Sequence, residues 1–160
     1  CIRDRFKGIS ESLRRPVSPG TLSLLMDPEH PLFKNFPTDA QTNWQWWSVI
    51  KSSRPLILDL APSDLNPIVQ VVDNMERNHK LGLIFEMGIG KGKLLVCMAD
   101  PEALRKTPEG RQLYSSLVSY VQSRDFNPKM ICSPEEFKAL FSGNTLSPNI
   151  KNVDNVTDYK

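Results

Sequence analysis

The sequence predicts an α/β domain whose central sheet is mostly parallel or mixed, with about five strands flanked by helices. Three observations carry this expectation. Short apolar and β-branched runs recur between residues 21 and 98. Helix starts with a capping residue and an early Pro follow them. A hydrophobic share of 39% and a charged share of 24% over 160 residues fit a single core.

Residues 1–20 read as an irregular basic leader, with Arg3, Arg5, Lys7, Arg14 and Arg15, closing on Pro16-Val17-Ser18-Pro19-Gly20. The α/β domain spans 21–142, and the Asn-, Ser- and Asp-rich stretch 143–160 reads as a flexible tail. Thr21–Met26 forms a short strand. Asp27 then caps, and Pro28 begins, a turn or two of helix before Phe36-Pro37. Thr38 and Gln41 match a capping box, which places a helix from about Asp39 to Lys51. Pro55–Leu60 and Ile68–Val72 read as strands separated by a turn at Pro62–Pro67.

Leu81–Glu86 and Lys93–Met98 flank Gly88-Ile89-Gly90-Lys91-Gly92, the pattern of an antiparallel hairpin. Both runs are nearly continuous in apolar residues, so both strands are expected to be covered on both faces. Thr107-Pro108-Glu109 opens the longest helix, with Leu113, Leu117 and Val121 in one apolar stripe beside Tyr114 and Val118. Ser133-Pro134-Glu135-Glu136 begins a shorter helix to about Phe141.

Composition removes several classes of function. Twenty basic against 18 acidic residues leave a net charge of +2 and no basic stripe, so no nucleic-acid partner is expected. No stretch approaches the roughly 20 apolar residues of a membrane span. No signal-peptide core precedes the domain, and the start at Cys1 reads as a fragment of a longer chain. Cys1, Cys97 and Cys132 are an odd, widely spaced set, unlike a disulfide framework or a zinc knuckle.

Candidate chemistry is weighed residue by residue. The glycines at 88, 90 and 92 with Lys91 invite a phosphate loop, but a strand rather than a helix follows, so the hairpin is preferred. A nucleophilic Cys97 assisted by His30 or His79 lacks the small flanking residues of an elbow, since Val96 and Met98 flank it. His30 and His79 lie apart without paired-ligand spacing, so no metal is expected. No cofactor is expected either. Glu76, Glu86, Asp73 and Asp100 are acids that nothing in the sequence pairs for glycoside hydrolysis. Glu86, inside an apolar strand, is expected in a structural salt bridge with a basic partner.

Asn43-Trp44-Gln45-Trp46-Trp47 is the most unusual stretch. At 100° per residue, Trp44 and Trp47 lie about 60° apart on a helix, while Trp46 lies about 160° from Trp44. One helix face cannot bury all three. A Trp left out of the core meets solvent, another domain or a stacked sugar ring. Trp44, Trp46, Trp47, Asn43, Gln45 and His30 are therefore the ligand or interface candidates, and no residue is assigned a catalytic role.

Several stretches taken together carry a family resemblance. They are Gly20-Thr21 through His30-Pro31-Leu32-Phe33, Phe36-Pro37-Thr38 through Trp46-Trp47, and Ile68–Asn74. They continue with Leu81–Glu86, Gly90–Val96 and Gly110–Leu117. In order, over about residues 20 to 128, this set resembles the C-terminal region of bacterial glycoside hydrolase family 2 enzymes of the β-galactosidase type. The resemblance implies a flavodoxin-like, or class I glutamine-amidotransferase-like, accessory region, truncated where the family carries further strands upstream. It implies no catalytic residue here, because the family's acid/base and nucleophile glutamates belong to an upstream barrel.

The expected function is accordingly that of a non-catalytic accessory domain of a carbohydrate-degrading enzyme, serving architecture, interdomain packing or oligomerisation. Its expected partners are the catalytic and other domains of that enzyme, with carbohydrate and a homo-oligomeric second copy left open. Localisation in the periplasm or outside the cell is implied by the resemblance alone. Two rivals stand beside this reading: a carbohydrate-binding module built on the tryptophans, and an active amidotransferase-like enzyme using Cys97.

Overall fold

The computed structural model describes residues 21–59, 61–73 and 79–140. The leader, the tail and the acid Glu76 lie outside the described residues. The described residues form a six-stranded mixed sheet flanked by helices, not closed into a barrel. The strands are β1 (Thr21–Met26), β2 (Leu56–Ile57), β3 (Val69–Asp73), β4 (Lys80–Ile89), β5 (Gly92–Cys97) and β6 (Ile131–Cys132). The helices are a 3-10 helix (Pro31–Asn35), α1 (Gln45–Lys51), α2 (Pro101–Lys106), α3 (Pro108–Gln122) and α4 (Pro134–Ala139).

The α/β class and the mixed sheet agree with the sequence. The finer, flavodoxin-like order of parallel strands does not form among the described residues. Only β4 and β6 pair in parallel, and the other four pairings are antiparallel. For β4 and β5 the reason is the shortness of their link. A two-residue turn at Gly90 and Lys91 joins β4 to β5, and so tight a link permits only antiparallel pairing. Gly90 has φ of 57°, which an L side chain adopts poorly, while Gly88 and Gly92 lie within the strands.

β4 is the central strand. β3 and β6 pair along one of its edges, β2 and β5 along the other. Opposite β3 the register slips by one residue between Ile84 and Gly82, so Leu83 and Ile84 share a face. Before the slip, Leu81 and Leu83 face the helices; after it, Ile84 and Glu86 do, while Phe85 and Met87 face away. The bulge explains why β4 reads as a continuous apolar run rather than an alternation.

One core cluster joins Leu24, Phe33, Trp46, Val71, Leu83 and Leu113 beneath the 3-10 helix, α1, α2 and α3. A second joins Leu56, Leu58, Phe85, Met87, Met130 and Leu140 on the opposite face, where Phe137 of α4 packs. Coverage on both faces holds for β4 but not for β5, whose residues from Leu94 to Cys97 are only half-buried.

Two helix starts behave as their sequences require. Thr107 accepts from Gly110 N–H to cap α3, and Ser133 with Glu136 forms a complete capping box on α4. The helix expected from Asp39 begins only at Gln45, because Thr38 and Gln41 are otherwise engaged. Gln41 bridges Leu25 of β1, and the Thr38 hydroxyl accepts from Trp46. Asp27 caps a single turn through Glu29 N–H, and the 3-10 helix starts later, at Pro31. The strand expected over Pro55–Leu60 is ladder-paired only at Leu56 and Ile57.

α2 and α3 meet at Thr107, which ends one helix and caps the other. Gly110 lets this corner close: a Cβ there would lie 2.7 Å from Leu104 Cα and 2.8 Å from Thr107 Oγ1. Alanine has the better helix propensity by roughly 1 kcal/mol, yet the overlap with backbone outweighs it. Gly110→Ala is expected to lower stability by about 1–3 kcal/mol. Urea unfolding reads this, and an unchanged or higher midpoint would refute the close approach.

Candidate functional site

The tryptophan stretch divides as the helical angles require. Trp44 precedes α1 in helical conformation, with φ of −57° and ψ of −34°, so Trp44 and Trp47 leave on neighbouring sides. Trp46 points the opposite way and is fully buried. Its ring N–H donates to Thr38 Oγ1 at 2.7 Å. Its ring meets Phe33 and Phe36 edge-on, with centroids 6.2 and 5.3 Å away. Trp46 is thus a core anchor, while Trp44 is 88% exposed and Trp47 50% exposed.

The polar residues between them brace the loop before α1. Gln45 Nε2 donates to the Pro37 carbonyl at 2.8 Å, and Asn43 Nδ2 donates to Asp39 Oδ2 at 3.2 Å. Asn43 Oδ1 is enclosed and accepts no hydrogen bond from the described residues. Ser48, on α1, donates to Glu109 Oε1 at 2.8 Å, which ties α1 to the first turn of α3. A hydrogen bond from its own backbone N–H, and after it the Ser48 bond, hold the Glu109 carboxyl below its ordinary range. The two exposed indoles therefore sit at the start of a helix pinned at its first residue and at its centre.

His30 belongs to a different cluster. Its Nδ1 accepts from Leu32 N–H at 3.2 Å and caps the 3-10 helix. Its ring stands edge-on to Tyr120, 5.3 Å between centroids, and the Tyr120 hydroxyl donates to Glu86 Oε2 at 2.8 Å. Burial lowers the His30 pKa, against the opposing pull of Glu86 and Asp27. Burial and the Glu86 carboxylate together raise that of Tyr120. Glu86 is held here by a phenol, where a basic partner was expected from sequence.

A third polar cluster was invisible to sequence reading. His79 is buried, and its Nδ1 lies 2.6 Å from Asp59 Oδ2. Its backbone N–H donates to Asp73 Oδ2, and Lys80 N–H donates to Asp59 Oδ1. A carboxylate holding an imidazole is how a catalytic base is oriented. Among the described residues, however, no Ser, Thr or Cys side chain hydrogen-bonds to His79. Asp59 and His79 stand 20 residues apart in sequence, and no spacing signals their meeting.

Cys97 is far from an activated thiol. Burial raises its pKa, so the thiolate is disfavoured. It lines an open groove with Leu95, Leu104, Tyr114 and Val118, and no acid or histidine lines that groove. Among the described residues, no three or more His, Cys, Asp or Glu gather as a metal-binding group. No helix among them is long and apolar enough to cross a membrane.

A family model described as a domain of unknown function (DUF8487) matches residues 6–142, and the chain belongs to that family. No curated protein matches the sequence.

Two outcomes test this geometry. Trp46→Ala is expected to cost about 3–5 kcal/mol, whereas Trp44→Ala should stay within about 0.5 kcal/mol; urea unfolding of both variants separates them. Because His30 has a lowered pKa when folded, the unfolded chain takes up that proton first. Its contribution to stability is full above the ordinary value of 6.5 and is lost as pH falls through the lower folded value. His30→Asn keeps a capping oxygen, so its midpoint should fall less between pH 7 and 5 than that of the natural chain. Equal slopes would contradict the assignment.

Proposed function

We propose that this member of the DUF8487 family is a non-catalytic accessory domain of a carbohydrate-degrading enzyme of the β-galactosidase type. The single observation that carries the reading is the tryptophan pair, with Trp44 88% and Trp47 50% exposed at the start of a helix braced through Gln45 and Ser48. Exposed indoles held in one position are costly to leave in water and serve as interface anchors. The partner proposed for them is a neighbouring domain of the same enzyme. The enzyme class, and a periplasmic or extracellular setting, rest on the family 2 resemblance of the sequence.

Carbohydrate binding is the second reading, favoured by the pairing of two exposed indoles, although the Asn43 and Gln45 amides beside them are engaged in bracing the loop. Sugar rings stack on such faces. Amidotransferase-like catalysis by Cys97 draws no support from the groove, which supplies neither an acid nor a histidine to activate the thiol.

Fluorescence titration with galactose, lactose and plant-type oligosaccharides separates the first two readings. An accessory packing domain gives a flat response from a folded sample, and no hydrolysis of a nitrophenyl galactoside. A saturable shift that disappears in Trp44→Ala would overturn it in favour of sugar binding.

A further inference from the structure

The two outer edges of the sheet are finished differently. Along β1 the chain closes its own edge. Met26 N–H donates to the Ala40 carbonyl at 3.1 Å, Leu24 N–H donates to Thr42 Oγ1 at 2.7 Å, and Leu25 bridges Gln41. Along β5, no described strand pairs on the side away from β4. Met98 N–H donates to the Leu83 carbonyl at 2.8 Å, and the same register sets Val96 against Phe85 and Leu94 against Met87. Backbone groups alternate in direction along an antiparallel pair, so those of Lys93, Leu95 and Cys97 turn to the open side.

An open edge is normally protected by charge, by Pro or by a covering segment. β5 carries one charge, on Lys93, whose ammonium donates to the Phe126 carbonyl, and from Leu94 to Cys97 it has neither charge nor Pro. An open groove of about 320 Å³ runs beside it on the helical face of the sheet. Leu95 and Cys97 contribute to that groove from β5, Leu104 from α2, and Tyr114, Val118 and Val121 from α3. The three α3 residues are 46%, 39% and 43% exposed. Between Gln112 and Gln122, α3 has no charged residue at all, in a chain that is 24% charged. Depletion of charge over a patch that keeps its aromatic and aliphatic residues is what distinguishes the centre of an interface from ordinary surface.

We propose that β5 pairs antiparallel with β5 of a second copy of the chain about a two-fold axis. The sheet then runs on through both subunits, and the two α3 faces close over it. The features of the edge select the occupant. Open backbone groups beside an apolar groove accept an uncharged extended strand with apolar side chains at alternate positions. From Leu94 to Cys97, β5 is itself such a strand. Pairing centred on Leu95 sets that residue against the copy's Leu95, and Lys93 against the copy's Cys97. No like charges meet, and the same patch serves both subunits, as a two-fold contact requires. This surface is separate from the one around Trp44 and Trp47, and the inference does not depend on the function proposed above.

Sedimentation velocity over a range of concentrations tests it on the full chain. The expected result is a species of twice the 18.2 kDa chain mass, reverting to one chain mass in Val118→Glu and in Leu95→Lys. Trp44→Ala should leave it intact, so failure of the tryptophan reading would not be mistaken for failure here. If either variant unfolds by circular dichroism, hydrogen exchange on the natural chain decides. The Leu95 and Cys97 amides should slow by about tenfold or more as concentration rises through the association range. A single-chain species at every concentration would overturn the proposal. So would a dimer that persists in both folded variants, or protection of those amides that does not depend on concentration.

Discussion

Four of the other five strands hydrogen-bond directly to one element, β4, and its need to serve two edges and two faces at once shapes the molecule. Four strands pair with it, and both of its faces are buried. A strand of strict alternation would give each face half of its residues in a fixed order. The slip at Leu83 and Ile84 resets that order midway. It keeps apolar contacts on the helical face near α1, turns Phe85 and Met87 into the opposite cluster, and brings Glu86 beneath α3. The half-buried carboxylate then needs a donor, which the Tyr120 hydroxyl supplies.

The polar contacts extend this frame outward. Tyr120, fixed by Glu86, forms the wall against which His30 packs, and His30 in turn starts the 3-10 helix. From α3, Ser116 donates to the Leu32 carbonyl and Gln112 to the Asn35 carbonyl, so with Tyr120 the same helix grips the 3-10 turn at three points. α1 is held by the Trp46–Thr38 bond on one side and by Ser48 on the other. Asp59 and His79 lock the entry to β4 to the end of β2. None of these contacts assembles a nucleophile with a base, and each has a clear structural result.

Much of this was legible in the sequence, and the failures are instructive. Thr107-Pro108-Glu109 and Ser133-Pro134-Glu135 open helices as read, because cap, fixed φ and acid all agree there. Asp100-Pro101-Glu102 has the same three signals and opens α2, which was overlooked beside the stronger pattern that follows it. Asp27-Pro28-Glu29 has them too, yet yields only a turn, since Pro31 follows before a helix can propagate. Thr38 and Gln41 spell a capping box, but the Thr38 hydroxyl is taken by Trp46 and the Gln41 backbone by a bridge to Leu25. The tryptophan split followed from angle alone. Which of the three would be buried did not, because it depended on Phe33, Phe36 and Thr38 arriving from another part of the chain.

Two uncommitted surfaces remain on the described residues, and they have different characters. The one around α1 presents rigid indoles ringed by polar groups. The one along β5 and α3 presents an open strand edge and an uncharged apolar helix face. The first is the surface proposed to meet a neighbouring domain, and hydroxyl-radical footprinting tests that proposal most directly. Oxidation of Trp44 and Trp47 would be compared between the chain alone and the chain together with the domain proposed to cover it, with Trp46 as the buried reference. Trp44 and Trp47 are expected to react readily in the chain alone and to be protected when that domain is present. Equal reactivity of both in the two samples would contradict it.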